Sequence, residues 1–188
     1  MSDKYKLTDE TKEASGIKLF RIQALRSFGD VNAGDLGGWV EGVKNLSQGG
    51  YAWVYGNARV FGDAGVYGKA RVFGNARVYG DSRVYGNAWV FGNAWVFGDA
   101  RVSGNARVYG DAQVFGDAKV YGNARVSGDA KVYGNARVSG NARVYGNAGV
   151  FCDARVFGDA QVYGNAWVSG DARVSGDTPG TPMGPINI

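Results

Sequence analysis

The sequence predicts an all-β protein, a single-stranded parallel β-helix (β-solenoid) with three hexapeptides, 18 residues, to each coil and about seven regular coils. Three observations carry this expectation. A valine recurs every six residues from Val54 to Val174, 21 times without insertion or deletion. The unit it heads reads Val, then Tyr/Phe/Ser, Gly, Asn/Asp, Ala and a variable residue that is most often Arg. The fourth position segregates when units are sorted in threes: Asp63, Asp81, Asp99, Asp117, Asn135, Asp153 and Asp171 form one column, six Asp in seven places against four in fourteen elsewhere. Sorted in twos, the same residues fall five in eleven against five in ten, which is no segregation.

Residues 1–50 are expected to form an N-terminal β cap. "YKLT" and "IKLFRIQAL" read as two paired strands with a turn near Gly16, and "LGGWV" at 36–40 reads as an imperfect first coil, with Leu36 and Val40 at the spacing of the repeat's inward pair. Trp39 and Trp53 are expected to pack this cap rather than to hold a ligand. Residues 51–178 form the repeats. Side chains alternate between the two sides of a strand, so in "A-R-V-Y" Ala and Val share one side, Arg and Tyr the other. Burying the second set would put more than a dozen cations in a core, at several kcal/mol for each unpaired one. Ala and Val therefore face inward. The Gly-Asn or Gly-Asp that follows is turn chemistry, because Gly takes positive φ without a steric cost and Asn or Asp tolerates it. In the tail, 179–188, Pro179, Pro182 and Pro185 cannot donate ladder hydrogen bonds, and Ile186 and Ile188 are expected to fold over the last coil.

Composition excludes several classes. No run of about 18 apolar residues exists to span a membrane as a helix. The charged start, "MSDKYKLTDETKEASG", lacks a secretory signal's apolar core, and a lone Cys152 suits a reducing compartment, so a cytoplasmic location is expected. Net charge is +4, and residues 1–53 balance seven Lys/Arg against seven Asp/Glu, so the whole excess lies in the repeats.

An aliphatic residue with a small residue four places on, repeated three units to a turn, resembles the hexapeptide-repeat superfamily, and the resemblance implies a left-handed coil. The leading segment, from "KYKLTDET" through "GIKLFRIQALRSFGDVNAGDLGGWVEGVKNLSQGG", is similar to the front end of uncharacterised hexapeptide-repeat proteins of bacteria and their phages, some of them labelled transferases. Many members of the superfamily are acyltransferases that use a histidine base between the subunits of a trimer. This chain has no histidine, and its uninterrupted units leave no loop to wall an acyl-donor site. One Cys without His cannot supply a zinc site, the calcium-binding repeat has a nine-residue period, and the regular Thr ladders of ice-binding solenoids are missing. No catalytic residue, cofactor or metal is therefore expected, and a turn Gly replaced by Cys152 reads as drift at a corner.

Function is then expected on the outer faces. Position two is aromatic in 16 of 21 units. Phe61, Tyr79, Phe97, Phe115, Tyr133 and Phe151 form one unbroken column, read as lying on one charge-neutral face with Arg83, Arg101, Lys119, Arg137, Arg155 and Arg173 and with the Asp column. Such a face can close on itself, rings on rings and Asp on Arg, or can serve as an interface, since aromatics and Arg favour interface centres. The expected partner is another protein or a second copy in a homo-oligomer. Basic residues interleaved with aromatics on the other faces also fit single-stranded nucleic acid, but with a small surplus of charge.

Overall fold

The computed structural model describes residues 3–176, so the proline-containing tail and the expected cover by Ile186 and Ile188 lie outside the described residues. The chain is a parallel β-solenoid of about eight turns with 18 residues in each regular turn. Every repeat valine from Val54 to Val174 is buried, none more than 4% exposed, and the alanines from Ala52 to Ala166 line the same interior, with Ser82 in one alanine place. Ser82 is accommodated because its hydroxyl donates to the Tyr79 carbonyl at 2.9 Å, with the Val96 carbonyl 3.3 Å away.

Three parallel sheets wall the interior. The first runs from Arg59–Val60 to Trp167–Val168, the second from Gly65–Val66 to Arg173–Gly176, and the third from Trp53–Val54 to Gln161–Val162. Each valine pairs with the valine 18 residues on, as in Val60 with Val78 and Val96 with Val114. Backbone bonds between coils are correspondingly uniform: Arg77 N–H donates to the Ala94 carbonyl at 2.9 Å and Tyr79 N–H to Val96 at 3.0 Å. Strands are only two residues long for the most part, so each coil depends on the one beside it.

At the corners the glycines hold φ near +70° and stack directly on one another. A Cβ added at Gly98 would meet the backbone N of Gly116 at 3.0 Å, so both the dihedral and the close approach require glycine there. Cys152 holds the same corner conformation, at φ +57°, with a side chain that this region disfavours.

The cap begins as a hairpin, β1 (Tyr5–Ala14) and β2 (Ile17–Ala24), closed by Ser15 and Gly16, both at positive φ. Strand β3 (Leu36–Val40) pairs antiparallel with β2 and parallel with Arg59–Val60, which fuses the cap to the first wall. "LGGWV" is thus part of a first coil, but not through Leu36, which is 49% exposed. Gly38 takes the alanine place two residues before Val40; a Cβ there would meet Val54 at 2.6 Å. Val40 registers with Val60 and Leu46 with Val66, a 20-residue step that absorbs two extra residues before the regular spacing begins. Asn45 secures this irregular turn by donating to the carbonyls of Gly62 and Ala64 at 3.0 and 2.9 Å.

Both cap tryptophans are packing residues. Trp53 is buried edge-to-face against Tyr5 and Phe28, with centroids 6.1 and 5.3 Å away, and Trp39 lies under Lys12 Nζ at 4.1 Å. Lys4 is fully buried, its ammonium donating to the Ala52 carbonyl at 2.8 Å. Burial, with Arg26 nearby, pushes the Lys4 pKa down to about 8; burial and the charges of Arg59 and Arg21 do the same to Lys12. Burial, aided by Asp3, lifts Tyr5 to about 12, and burial with the Asp30 hydrogen bond lifts Tyr55 to about 12 against the pull of Arg71.

Two expected outcomes follow from this architecture. Replacing Cys152 with Gly relieves the strained corner and raises stability by about 1 kcal/mol, read as a higher thermal midpoint. From pH 8 to 10.5 the unfolded chain holds more protons on Lys4 and Lys12 than the folded one, so stability rises with pH. From pH 10 to 12 the folded chain holds more protons on Tyr5 and Tyr55, so stability falls. Thermal melts across this range peak near pH 10, and a Lys4→Met, Lys12→Met variant loses the rising limb.

Candidate functional site

An 18-residue coil places each outward residue directly over its counterpart in the next coil, so the surface is built of columns along the axis whose members are about 4.8 Å apart. The bend in each unit falls at Gly and the residue after it. The sixth position therefore opens the next wall, and a unit's ring and its sixth residue stand on different sheets. The expected single face is corrected accordingly. Phe61, Tyr79, Phe97, Phe115, Tyr133 and Phe151 stand on the first wall, whereas Arg83, Arg101, Lys119, Arg137, Arg155 and Arg173 stand on the second. The Asp column is the corner between them.

On the first wall the six rings form an unbroken stack. Successive centroids lie 4.8 to 5.0 Å apart with planes within 6° of parallel. Their true neighbours at position six are Arg59, Arg77, Trp95, Gln113, Lys131, Gly149 and Trp167, which adds tryptophan rather than a full row of cations. Arg77 lies 4.8 Å over the Trp95 ring, and Trp167 meets Phe151 edge-on at 6.3 Å. Phe61 is buried against Ala14, Leu19 and Trp39 of the cap, and the other five, covered by one another, are only partly exposed.

The second wall differs. Its position-two column reads Tyr67, Tyr85, Ser103, Tyr121, Ser139, Phe157, Ser175, and the serines interrupt any continuous stack. Tyr67, Tyr85, Tyr121 and Phe157 are accordingly 39–40% exposed. Beside them runs the row of six cations. The third wall stacks Phe73, Phe91 and Tyr109 at 4.7 and 4.9 Å, then breaks at Ser127, and Arg71 and Arg107 flank the Trp89 ring at 5.6 and 4.9 Å.

The three corners also differ in chemistry. Between the second and third walls Asn87, Asn105, Asn123 and Asn141 pass side-chain amide hydrogen bonds from coil to coil at 2.9 to 3.1 Å, ending on Asp159. Between the third and first walls the chain Asn75, Asn93, Asp111 does the same at 3.3 and 3.0 Å. A carboxylate cannot donate, so the Asp corner between the first and second walls has no such chain. Asp63 alone is relieved: Lys44 reaches it at 2.8 Å and holds its carboxyl below the usual range.

Asp and Arg do not pair along this edge. Among the described residues the three ion pairs, Arg21–Glu10, Lys44–Asp63 and Arg71–Asp30, all involve the cap. The basic and acidic columns instead line an open groove from Asp99 to Arg155. Among the described residues no three of His, Cys, Asp or Glu converge on a metal position, and no helix is long and apolar enough to cross a membrane.

Periodic walls, stacked corners and one continuous small-residue interior define a β-solenoid repeat protein. The repeat of the YdcK β-solenoid family matches residues 52–68, 70–86, 100–116, 112–128, 118–134, 130–146, 136–151 and 160–176, each match about one coil long and together more than half of the chain. The chain belongs to that family. Among curated proteins none matches the sequence.

Sequence reading found both columns and missed the corner that separates them. The signal was present in the alternation of "A-R-V-Y", which already places each Arg beside the ring that follows it, not the one that precedes it. Changing Asp99 and Asp117 together to Asn removes two stacked charges and continues an amide chain to Asn135. In dilute protein at low salt this raises stability by about 1 kcal/mol, and the gain shrinks as salt screens the column.

Proposed function

We propose that this protein is a rigid, non-catalytic scaffold that acts through protein–protein contacts, with a protein partner or with itself, along its straight outer faces. The observation that carries this reading is the uninterrupted alignment of outward columns from coil to coil, rings on one wall and cations on the next. Such a surface repeats its ring column and its cation column at successive coil heights. It suits an elongated or repeating partner better than a small molecule, which needs an enclosed, mostly apolar pocket with a few converging polar groups. A solenoid stiffened by ladder bonds at every coil also loses little conformational freedom on docking.

Acyl transfer of the hexapeptide type would need a general base. The chain has no histidine, and the corner carboxylates stand exposed to solvent, outside any enclosed site that would hold an acyl donor. One observation favours a second reading: the six cations of the second wall, with exposed tyrosines beside them, resemble a single-strand nucleic-acid track. The acidic corner alongside weakens the field that such a track needs.

Sedimentation velocity with chemical cross-linking tests the first reading directly. Self-association, or capture of a defined protein that is lost when outward residues of one wall are changed, is the expected result. A chain that stays monomeric, captures no protein, and instead binds labelled oligonucleotides with a steep salt dependence overturns it.

A further inference from the structure

Among the described residues the acidic corner is the one edge whose side chains make no hydrogen bond to one another from coil to coil. Two corners carry amide chains; this one carries stacked carboxylates whose nearest cations, two residues on, do not pair with them. Asp81, Asp99 and Asp117 run parallel to Arg83, Arg101 and Lys119 at the same coil spacing, and from Asp99 to Arg155 the two columns line a groove. Stacked like charges repel at each step of about 4.8 Å, and an opposite column brought alongside relieves both sets at once.

A second copy of the chain supplies that column, and symmetry decides its direction. Two copies apposed on this strip are related by a two-fold axis lying either across the solenoid or along it. An axis across it sets Asp against Asp and Arg against Arg at every height. An axis along it, midway between the columns, sets each Asp column against the partner's cation column. The geometry points to a charge zipper in which two copies of this chain pair side by side along the Asp corner and the basic column, with their axes running in the same direction.

This inference rests on the scaffold reading above and names one partner and one surface for it. The strip is two columns wide and seven coils long, less than the ~800 Å² per partner of a standard interface, so the pairing is weak and salt-sensitive.

The test uses sedimentation velocity at about 100 µM protein, in about 20 mM and about 500 mM salt. The unaltered chain is a dimer in low salt and a monomer in high salt. A variant with Asp81→Lys, Asp99→Lys and Asp117→Lys is monomeric alone, as is one with Arg83→Glu, Arg101→Glu and Lys119→Glu. Mixed one to one they restore the dimer in low salt. Both sets fall on solvent-facing columns, and Lys69 already occupies the matching corner place in another unit, so the coil accommodates them. Circular dichroism of each variant alone verifies the fold.

Direction is read from Cys152, exposed beside the Asp corner on the sixth of the seven first-wall coils. Same-direction pairing puts Cys152 opposite residue 157 of the second copy at one height, where a short bis-maleimide joins Cys152 to the thiol of a Phe157→Cys variant. Opposed pairing would set them four coils, roughly 19 Å, apart along the axis. A dimer that persists in both charge-reversed variants overturns the zipper and leaves self-association through another wall. A monomer in low salt overturns the zipper together with self-association, leaving only a different protein as partner.

Discussion

The structure depends on the narrowness of its interior. Three walls meet around a space wide enough for Val and Ala and no more, and every repeat valine is buried there. Because the interior is uniform, each coil lies on the next without offset, and the ladder bonds keep nearly constant length from one end to the other. Nothing larger than Val is needed inside until the cap, where Leu46 takes a valine place against Val66 and Tyr5 and Ile22 of the hairpin join the core. The same constraint sets the corners, since a Cβ added to a corner glycine comes within about 3.0 Å of the next coil's backbone in the left-handed conformation that the bend demands.

Stacking without offset makes each outward residue a column, and columns magnify chemistry. A ring over a ring becomes a six-member stack that covers itself. An amide over an amide becomes a hydrogen-bonded chain, because Asn both donates and accepts. A carboxylate over a carboxylate becomes a line of unrelieved charge. The last case is where a repeat protein departs from self-sufficiency, and it lies beside the one wall whose rings are most exposed. Contact surfaces in such a molecule therefore differ from wall to wall, although the repeat that builds them is nearly the same.

Particular residues show why the faces were harder to read than the fold. The column Phe61 to Phe151 is visible at once in the sequence, and so is Arg83 to Arg173, yet their apposition depends on where the chain bends. Position six follows the turn in the sequence and begins the next strand in space. Reading the unit from its valine splits each strand across two units and puts a ring beside the wrong cation. Leu36 misled for a similar reason. It has the spacing of an inward residue, but β3 enters the wall from an antiparallel hairpin, and Gly38, whose added Cβ would strike Val54, takes the inner place.

What the sequence alone determined was the coil: its length, its inner and outer residues, its corners and the presence of a cap. These follow from period, alternation and the low tolerance of a core for charge, which act locally and repeat 21 times. What only the tertiary structure decided was adjacency: which column shares a wall with which, which corners close their own hydrogen bonds, and which Asp finds a cation. Adjacency across a bend depends on backbone direction at the corner, and pairing depends on distances between side chains that a one-dimensional pattern does not contain.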